Sequence, residues 1–400
     1  LSTVRKVWLL ALGAFTLGLD AYVMAGLLPV VADDIGTTVS LAGQMVTVFT
    51  LAYAISAPLV AGLLSGVRPR VLVMAALAVF TLGNAMTALA PALGALLAAR
   101  AVAGVGAGVY SALSTAAASA LVPAERRGRA LAVVMGGMST GTVLGVPVGV
   151  LLAGHAGWRS TMWLVTALGA VALVGLSVLL PPVPADPPVS VRARLAAVTD
   201  RRVAPIVGVS FLAAVASLGL YTYLAPVLAS AGGVSEVTPY LWAWGVGGVL
   251  GSVLAGPLVD RTGKAATLVG AVMAVIVASQ ALLPPLASVA PPAAAAALLV
   301  WGAAGWALQV PQQHRLLALR ADRGTVALAL NNSALYLGSA AGSALGGVAL
   351  AQGLAPYVLP WAAAGAAALG LLLHLYVRLS AGRRSRHAAC LGTLGSYEHS

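Results

Sequence analysis

Charge is scarce in this sequence. Only 8% of its 400 residues are charged, and Asp and Glu together number ten. A soluble domain of this size does not have such a composition. Cysteine is almost missing as well. The one residue, Cys390, lies in the C-terminal tail, which excludes a disulfide framework and a thiolate metal site. The histidines (His155, His314, His374, His387 and His399) are scattered without metal-ligand spacing, so neither a metal nor a cofactor is expected. No phosphate-binding Gly-Lys-Ser/Thr loop is present, which argues against ATP as an energy source. No nucleophile–His–acid set stands inside the apolar stretches, so an enzyme is not expected.

What is abundant is apolar. The chain is 60% hydrophobic with a mean hydropathy of +0.98. That reads as a polytopic all-α membrane protein. The 46 glycines and 22 prolines fit this class, because membrane helices tolerate both. Apolar runs predict twelve helices, at 7–31, 39–64, 70–90, 92–121, 128–153, 159–181, 204–231, 237–259, 265–287, 292–318, 324–352 and 356–379. Each has the roughly 20 apolar residues that a span requires. The first is long enough to cross a bilayer and is expected to be a retained helix rather than a cleaved signal.

The net charge of +12 does not point to nucleic acid. With the N-terminus inside, 20 of the 22 Lys and Arg fall in cytoplasmic segments. Arg159 alone falls outside, and Arg100 lies within the fourth helix. This positive-inside bias places both termini in the cytoplasm. The stretch 182–203 is Pro-rich, then basic and amphipathic, and reads as a cytoplasmic linker. It divides a six-helix bundle at 1–181 from another at 204–379, with a basic tail at 380–400 expected to be disordered after Arg386.

The halves echo each other. AGLLSG begins at Ala61 and AGPLVD at Ala255, an offset of 194. Gly141, Gly145 and Gly149 match Gly338, Gly342 and Gly346 at an offset of 197. Two related bundles facing each other across a cavity suit alternating-access transport.

Asp20 is the only acidic side chain inside any long apolar stretch. A carboxylate at membrane depth is disfavoured by about 2.5–3.5 kcal/mol on insertion scales, so it is rarely there without a task. Burial favours the neutral form of a carboxyl group, which suits a reversible proton carrier. Asp20 lies ~16 Å, and Arg100 ~12 Å, from the outer ends of their helices at 1.5 Å per residue. The substrate-site candidates are polar and aromatic residues inside spans: Tyr22, Gln44, Tyr53, Tyr221, Tyr223, Trp301, Trp306, Asn331, Asn332 and Tyr336. For any one aromatic, interfacial anchoring or lipid contact is the other reading. Of the adjacent Asn331 and Asn332, at most one is expected to face a cavity. Gln309, Gln312 and Gln313, around Pro311, line the same path or mark a kink. Gly141, Gly145 and Gly149 allow close helix approach, and Pro147 frees the carbonyl four residues back. Close packing there, at the interface of the halves, would block proton leak; ordinary tight packing is the plainer reading.

Four stretches carry a resemblance to the major facilitator superfamily over essentially the whole chain. Gly256-Pro-Leu-Val-Asp260-Arg261-Thr-Gly263-Lys264 resembles its G-x-x-x-D-R-x-G-R/K loop. Arg100-Ala-Val-Ala-Gly104 resembles its R-x-x-x-G segment. Gly141-Thr-Val-Leu-Gly145-Val-Pro147-Val-Gly149 is similar to the signature of 12-span drug–proton antiporters. GLDAYVMAGLLPVVA at 18–32 resembles the opening of chloramphenicol-resistance and arabinose-efflux proteins. The first loop departs from the pattern, with Gly66 where the acidic residue belongs.

The resemblance implies that helices 1 and 4 line one cavity, bringing Asp20 and Arg100 within reach. A proton would then compete with substrate at Asp20; the other role for the pair is a static ion pair that fixes packing. The resemblance also implies a cytoplasmic latch between Asp260 and the start of helix 5, with Gly128 and Arg126, Arg127 or Arg129 nearby. Arg261 and Lys264 belong to that loop, or are solvated topology charges. The function implied is a monomeric proton-coupled efflux antiporter of the bacterial cytoplasmic membrane. Its partners would be protons, membrane lipid and a small lipophilic compound, an amphenicol-like drug above others. Export of a sugar or nucleoside is the runner-up, and a proton-coupled importer, a channel or an embedded enzyme the more distant readings.

Overall fold

The computed structural model describes residues 3–63, 67–123, 126–183, 200, 202–319 and 324–395. Leu64–Gly66, which include the expected departure at Gly66, lie outside the described residues, as does most of the expected linker. Among the described residues, twelve helices are long and apolar enough to cross a membrane. They are α1 Thr3–Ile35, α2 Val39–Leu63, α3 Pro69–Leu89, α4 Leu93–Ala120, α5 Arg127–Ala156 and α6 Trp158–Leu179. The second set is α7 Ala204–Thr222, α8 Thr238–Thr262, α9 Ala265–Val289, α10 Pro291–Leu319, α11 Gly324–Ala351 and α12 Leu359–Gly395. The last helix continues to Gly395, where a disordered tail after Arg386 was expected.

Prolines set the irregular points. A proline lacks its N–H and crowds the carbonyl four residues back. Pro226 acts on Thr222, where α7 stops; a short helix, Leu224–Gly232, resumes beyond Tyr223. Pro311 acts on Ala307, where α10 is interrupted before Gln309–Leu319. Pro147 acts on Val143, inside a π-helical turn over Gly141–Gly145.

Packing repeats between the halves. Helix α1 packs on α5 and α6, α2 on α4, and α3 on α4 and α6; in the same pattern α7 packs on α11 and α12, α8 on α10, and α9 on α10 and α12. The halves meet along α2–α11 and α5–α8, and where α1 touches α7 and the short helix beyond it.

The two ends of this seam differ. One end carries Arg126, Arg127, Asp260, Arg261 and Lys264, and is the arginine-rich end; the far end carries Asp33, Asp34, Arg159 and Glu236. Towards the far end the seam is shut. Ser40 Oγ donates to the Gly347 carbonyl at 2.6 Å, and Ser343 Oγ to that of Gly43 at 3.2 Å. Tyr223, at the break in α7, donates from its hydroxyl to the Ser343 carbonyl at 2.8 Å. Its ring occupies space that a Cβ on Gly43 or Gly346 would need. Towards the arginine-rich end α5 and α8 part, leaving a cleft of about 450 Å³.

Candidate functional site: a buried ion pair behind an aromatic chamber

Asp20 on α1 and Arg100 on α4 are 0% and 1% exposed. Arg100 Nη1 donates to Asp20 Oδ1 at 2.7 Å. A third group completes the cluster. Asn84 on α3 donates from Nδ2 to Asp20 Oδ2 at 3.4 Å and accepts at Oδ1 from Arg100 Nη1 at 3.3 Å. The guanidinium lies 4.2 Å from the centre of the Phe49 ring, a cation–π contact that suits a charge with few polar neighbours. Sequence reasoning missed Asn84. A lone amide in a span carries little signal, because nothing in the sequence says which residues face it.

The pair does not open onto the seam. Successive residues on an α-helix are about 100° apart, so Asp20 and Tyr22 point to roughly opposite sides of α1. Tyr22 faces the second half. Its ring lies 5.7 Å from that of Tyr221 on α7, 5.9 Å from Trp244 on α8 and 6.2 Å from Trp306 on α10. Trp244 is the hub of this group, 4.3 Å from Tyr221, 6.3 Å from Trp306 and 6.4 Å from Trp301. Tyr53 on α2 and Tyr336 on α11 stack across the seam with centroids 3.6 Å apart. These rings form one chamber wall drawn from both halves, and aromatic edges and faces at such distances attract one another. Trp244 was not among the sequence candidates. A tryptophan so near a loop reads as an interfacial anchor, and helical periodicity alone does not say which face turns inward.

Trp244 Nε1 and Asn331 Oδ1 are buried with no hydrogen-bond partner among the described residues. Leaving such a group unmet is disfavoured by about 1–3 kcal/mol. Trp244 Nε1 lies within the aromatic group, whereas Asn331 shares its face of α11 with Gly338, which packs on Phe211 of α7. Asn332, beside Asn331, is exposed and lies near the Tyr53 hydroxyl. Gln44 and Tyr223 fall elsewhere than expected. Gln44 Nε2 donates to the Ser40 carbonyl at 3.3 Å, and both side chains crowd Gly347, so they belong to the far-end closure. Trp301 Nε1 donates to Ser217 Oγ at 2.6 Å. Gln312 donates to the Ile206 carbonyl and Ser210 Oγ at 3.0 and 3.1 Å, so it fastens the α10 kink to α7.

One expectation needs correction. The glycines of α5 pack inside the first half, not at the interface of the halves. A Cβ on Gly141 would overlap the Phe15 carbonyl of α1, and those on Gly145 and Gly149 would press on Leu19 and Val23. The α5 face that meets α8 instead carries Val143, opposite Gly245. The repeat obeys the same rule, since Gly338 and Gly342 lie against Phe211 and Val215 of α7. The residues of the expected latch lie apart in this structure. Asp260 is exposed without a partner among the described residues, and Arg261, Lys264, Arg126 and Gly128 are exposed too. The reason is the parting of α5 from α8 at that end.

The repeat offset also relates the charged cluster to the second half. An offset of 197 carries Asp20 to Ser217, whose hydroxyl accepts from Trp301 Nε1. Gln280 is fully buried, and neither atom of its amide has a partner among the described residues.

The family model described as Major Facilitator Superfamily matches residues 10–343. Among curated proteins, the chain is 32% identical over 366 residues to the inner membrane transport protein YdhP of Escherichia coli, covering 91% of this chain and 93% of that one. It is 31% identical over 350 residues to the uncharacterized MFS-type transporter YbcL of Bacillus subtilis, covering 87% and 89%. It is 32% identical over 349 residues to a chloramphenicol resistance protein of Streptomyces lividans, covering 84% and 86%. Among solved structures, a partially occluded inward open conformation of the xylose transporter XylE from Escherichia coli superposes with a TM-score of 0.72 at 18% identity, covering 94% of this chain and 97% of that one. With family model, relatives and fold in agreement, the chain belongs to the major facilitator superfamily, as a multi-pass transporter of the bacterial cytoplasmic membrane.

Proposed function

We propose that the protein is a proton-coupled efflux antiporter for a small lipophilic compound, an amphenicol-like drug above others, working by alternating access. The observation that carries this reading is the pairing of two sites on opposite faces of α1. One is a dry ion pair around the only carboxylate within the core of the described spans. The other is an aromatic chamber with an unmet hydrogen-bond donor, Trp244 Nε1, suited to an apolar molecule with a few polar atoms. One helix is therefore in contact with both proton and substrate. Protonation of Asp20 would release Arg100 from its ion pair, and a change in how α1 seats against α4 would be felt at Tyr22. With the arginine-rich end in the cytoplasm, the structure is the inward-facing state, ready to load substrate for export. Asp260 would engage the start of α5 only when that end closes, where the positive end of the helix dipole favours a carboxylate. The 32% identity to a chloramphenicol resistance protein supports the drug assignment.

The test is chloramphenicol transport in proteoliposomes under an imposed pH gradient. An antiporter accumulates the drug against an opposed proton flow, and the direction reverses with the gradient. Co-directional movement of drug and protons would make the protein an importer. Movement indifferent to the gradient would remove proton coupling altogether.

A further inference from the structure

A second cluster of basic side chains stands apart from Asp20 and from the chamber. Arg315 on α10 is half-buried, and its Nη1 donates to Gln312 Oε1 at 3.1 Å and to His374 Nδ1 on α12 at 3.4 Å. A guanidinium has no acceptor, so His374 Nδ1 accepts; Nε2 lies 2.8 Å from the Ala266 carbonyl and therefore donates. The ring, 1% exposed, is the uncharged tautomer. Arg378 stands one turn beyond His374 on α12, exposed and near enough to Arg315 to repel it.

Nothing acidic on these helices answers the charges. None of α7, α9, α10 and α12 contains an Asp or Glu. Both ion pairs among the described residues lie elsewhere. Asp200, just before α7, turns its Oδ1 to the backbone N–H of Arg202 at 2.9 Å. Arg315 Nε and Nη2 have no hydrogen-bond partner among the described residues, and neither is sealed from solvent. The open side of this planar fork matches two oxygens of a phosphate.

The charges stand at headgroup depth. Arg315 lies about 6 Å from the end of its span at Leu319, and Arg378 about 3 Å from the end of its own at Ser380, at 1.5 Å per residue. The depression beside them is lined by Pro205, Ile206, Val209, Arg315, His374 and Val377. Pro205 belongs to the first turn of α7, so the positive end of that helix dipole adds to the same field. The depression narrows to less than a water's width, so a ligand rests on its rim. Arg378 also borders an exposed apolar stripe on α12, made of Leu372, Leu375, Tyr376 and Leu379.

We propose that Arg315 and Arg378 bind the phosphate of an anionic phospholipid in the leaflet at the arginine-rich end, with its acyl chains along the α12 stripe. Basic pockets between membrane helices suit such headgroups. Inorganic phosphate offers the same oxygens, but a rim without enclosure gives it nothing else to hold. A lipid adds the contact of its chains.

The test is phosphatidylglycerol binding to the purified protein in detergent, read by native mass spectrometry. Arg378→Gln removes an exposed charge and should fold as wild type does. About fivefold weaker binding is expected from it, equivalent to ~1 kcal/mol for one basic residue at a membrane surface. Arg315→Gln also removes the fork and should weaken binding about tenfold or more. The control is Arg68→Gln, which takes an exposed charge from the same end of the first half, where its side chain caps nothing; binding should stay within about twofold of wild type. Phosphatidylcholine, with the same chains and no net charge, should bind more weakly and respond to none of these variants.

Equal losses in Arg378→Gln and Arg68→Gln would reduce the site to diffuse charge and overturn it. Thermal stabilisation by inorganic phosphate that Arg378→Gln abolishes, with no preference for phosphatidylglycerol over phosphatidylcholine, would give the site to a soluble anion instead. Tighter phosphatidylglycerol binding in Asp322→Asn would mean that a carboxylate of the chain itself fills the fork, and would overturn the lipid assignment too.

Discussion

Removing the charge of Asp20 should do two separable things. Its carboxylate accepts from Arg100 Nη1 at 2.7 Å and from Asn84 Nδ2 at 3.4 Å, with no water-exposed surface. Breaking a buried pair by removing one partner destabilises by about 3–5 kcal/mol. In Asp20→Asn the new amide oxygen can still accept one bond from the guanidinium, which offsets about 1.5–3 kcal/mol. A net loss of about 2 kcal/mol is expected for Asp20→Asn. Arg100→Met leaves a buried carboxylate with only the long Asn84 bond, and should lose about 3–5 kcal/mol. The double variant buries no unpaired charge and should regain most of both losses. The order of thermal unfolding in detergent is therefore wild type and double variant highest, then Asp20→Asn, then Arg100→Met. Transport should not follow that order. Proton-driven efflux should vanish in Asp20→Asn and in the double variant alike, while drug exchange without a gradient persists in both. A double variant as unstable as the sum of the singles would mean a coupling below about 0.5 kcal/mol and refute the ion-pair argument. A stable double variant that still pumps would show that Asp20 does not carry the proton.

Glycine substitutions in α5 should be graded by what their Cβ meets. Gly141→Ala strikes the backbone of α1 and should destabilise by about 1–3 kcal/mol, whereas Gly145→Ala meets Leu19 Cβ at 3.1 Å, a tight contact but no overlap, and should cost less than about 1 kcal/mol; equal effects in thermal unfolding would undo this reading. Tyr223→Phe removes the hydrogen bond to Ser343 and should weaken the far-end closure by about 0.5–1.5 kcal/mol. Faster labelling of Ser40→Cys from the far side, in the Cys390→Ser background, would report it; an unchanged rate would show that the bolt does not hold the seam. Asp260→Ala should leave thermal stability within about 0.5 kcal/mol of wild type, because the side chain is exposed and has no partner among the described residues, yet should slow turnover if the latch forms on closure. A large stability loss with normal turnover would reverse that assignment.

Much of this architecture is legible in the sequence because a bilayer imposes length and polarity on every span. Arg100 and Asp20 could be paired from similar depth together with the family resemblance, which puts helices 1 and 4 on one cavity. The prolines 147, 226 and 311 each explain an irregularity four residues back, but sequence does not say how far the chain departs from a helix at each. Rotation about the helix axis is the harder variable. Asn84, Trp244 and the true neighbours of Gly141 were all hidden for that reason. An apolar span buries residues against protein on one side and lipid on the other, and both select the same residue types. The latch failed to appear for a different cause. On the alternating access proposed above, the latch belongs to the other arrangement of the halves and is absent from this one.

The lone buried carboxylate has an electrical consequence. With Ser217 at the position the repeat offset matches to Asp20, the described spans hold one carboxylate in their core. An exchange of one proton for one uncharged drug molecule would then carry net charge. Such a cycle draws on membrane voltage as well as on the pH difference, at about 2.3 kcal/mol per charge for each 100 mV. A voltage clamped at zero by potassium and valinomycin would slow it even at a fixed pH gradient, and the protein would register as a current.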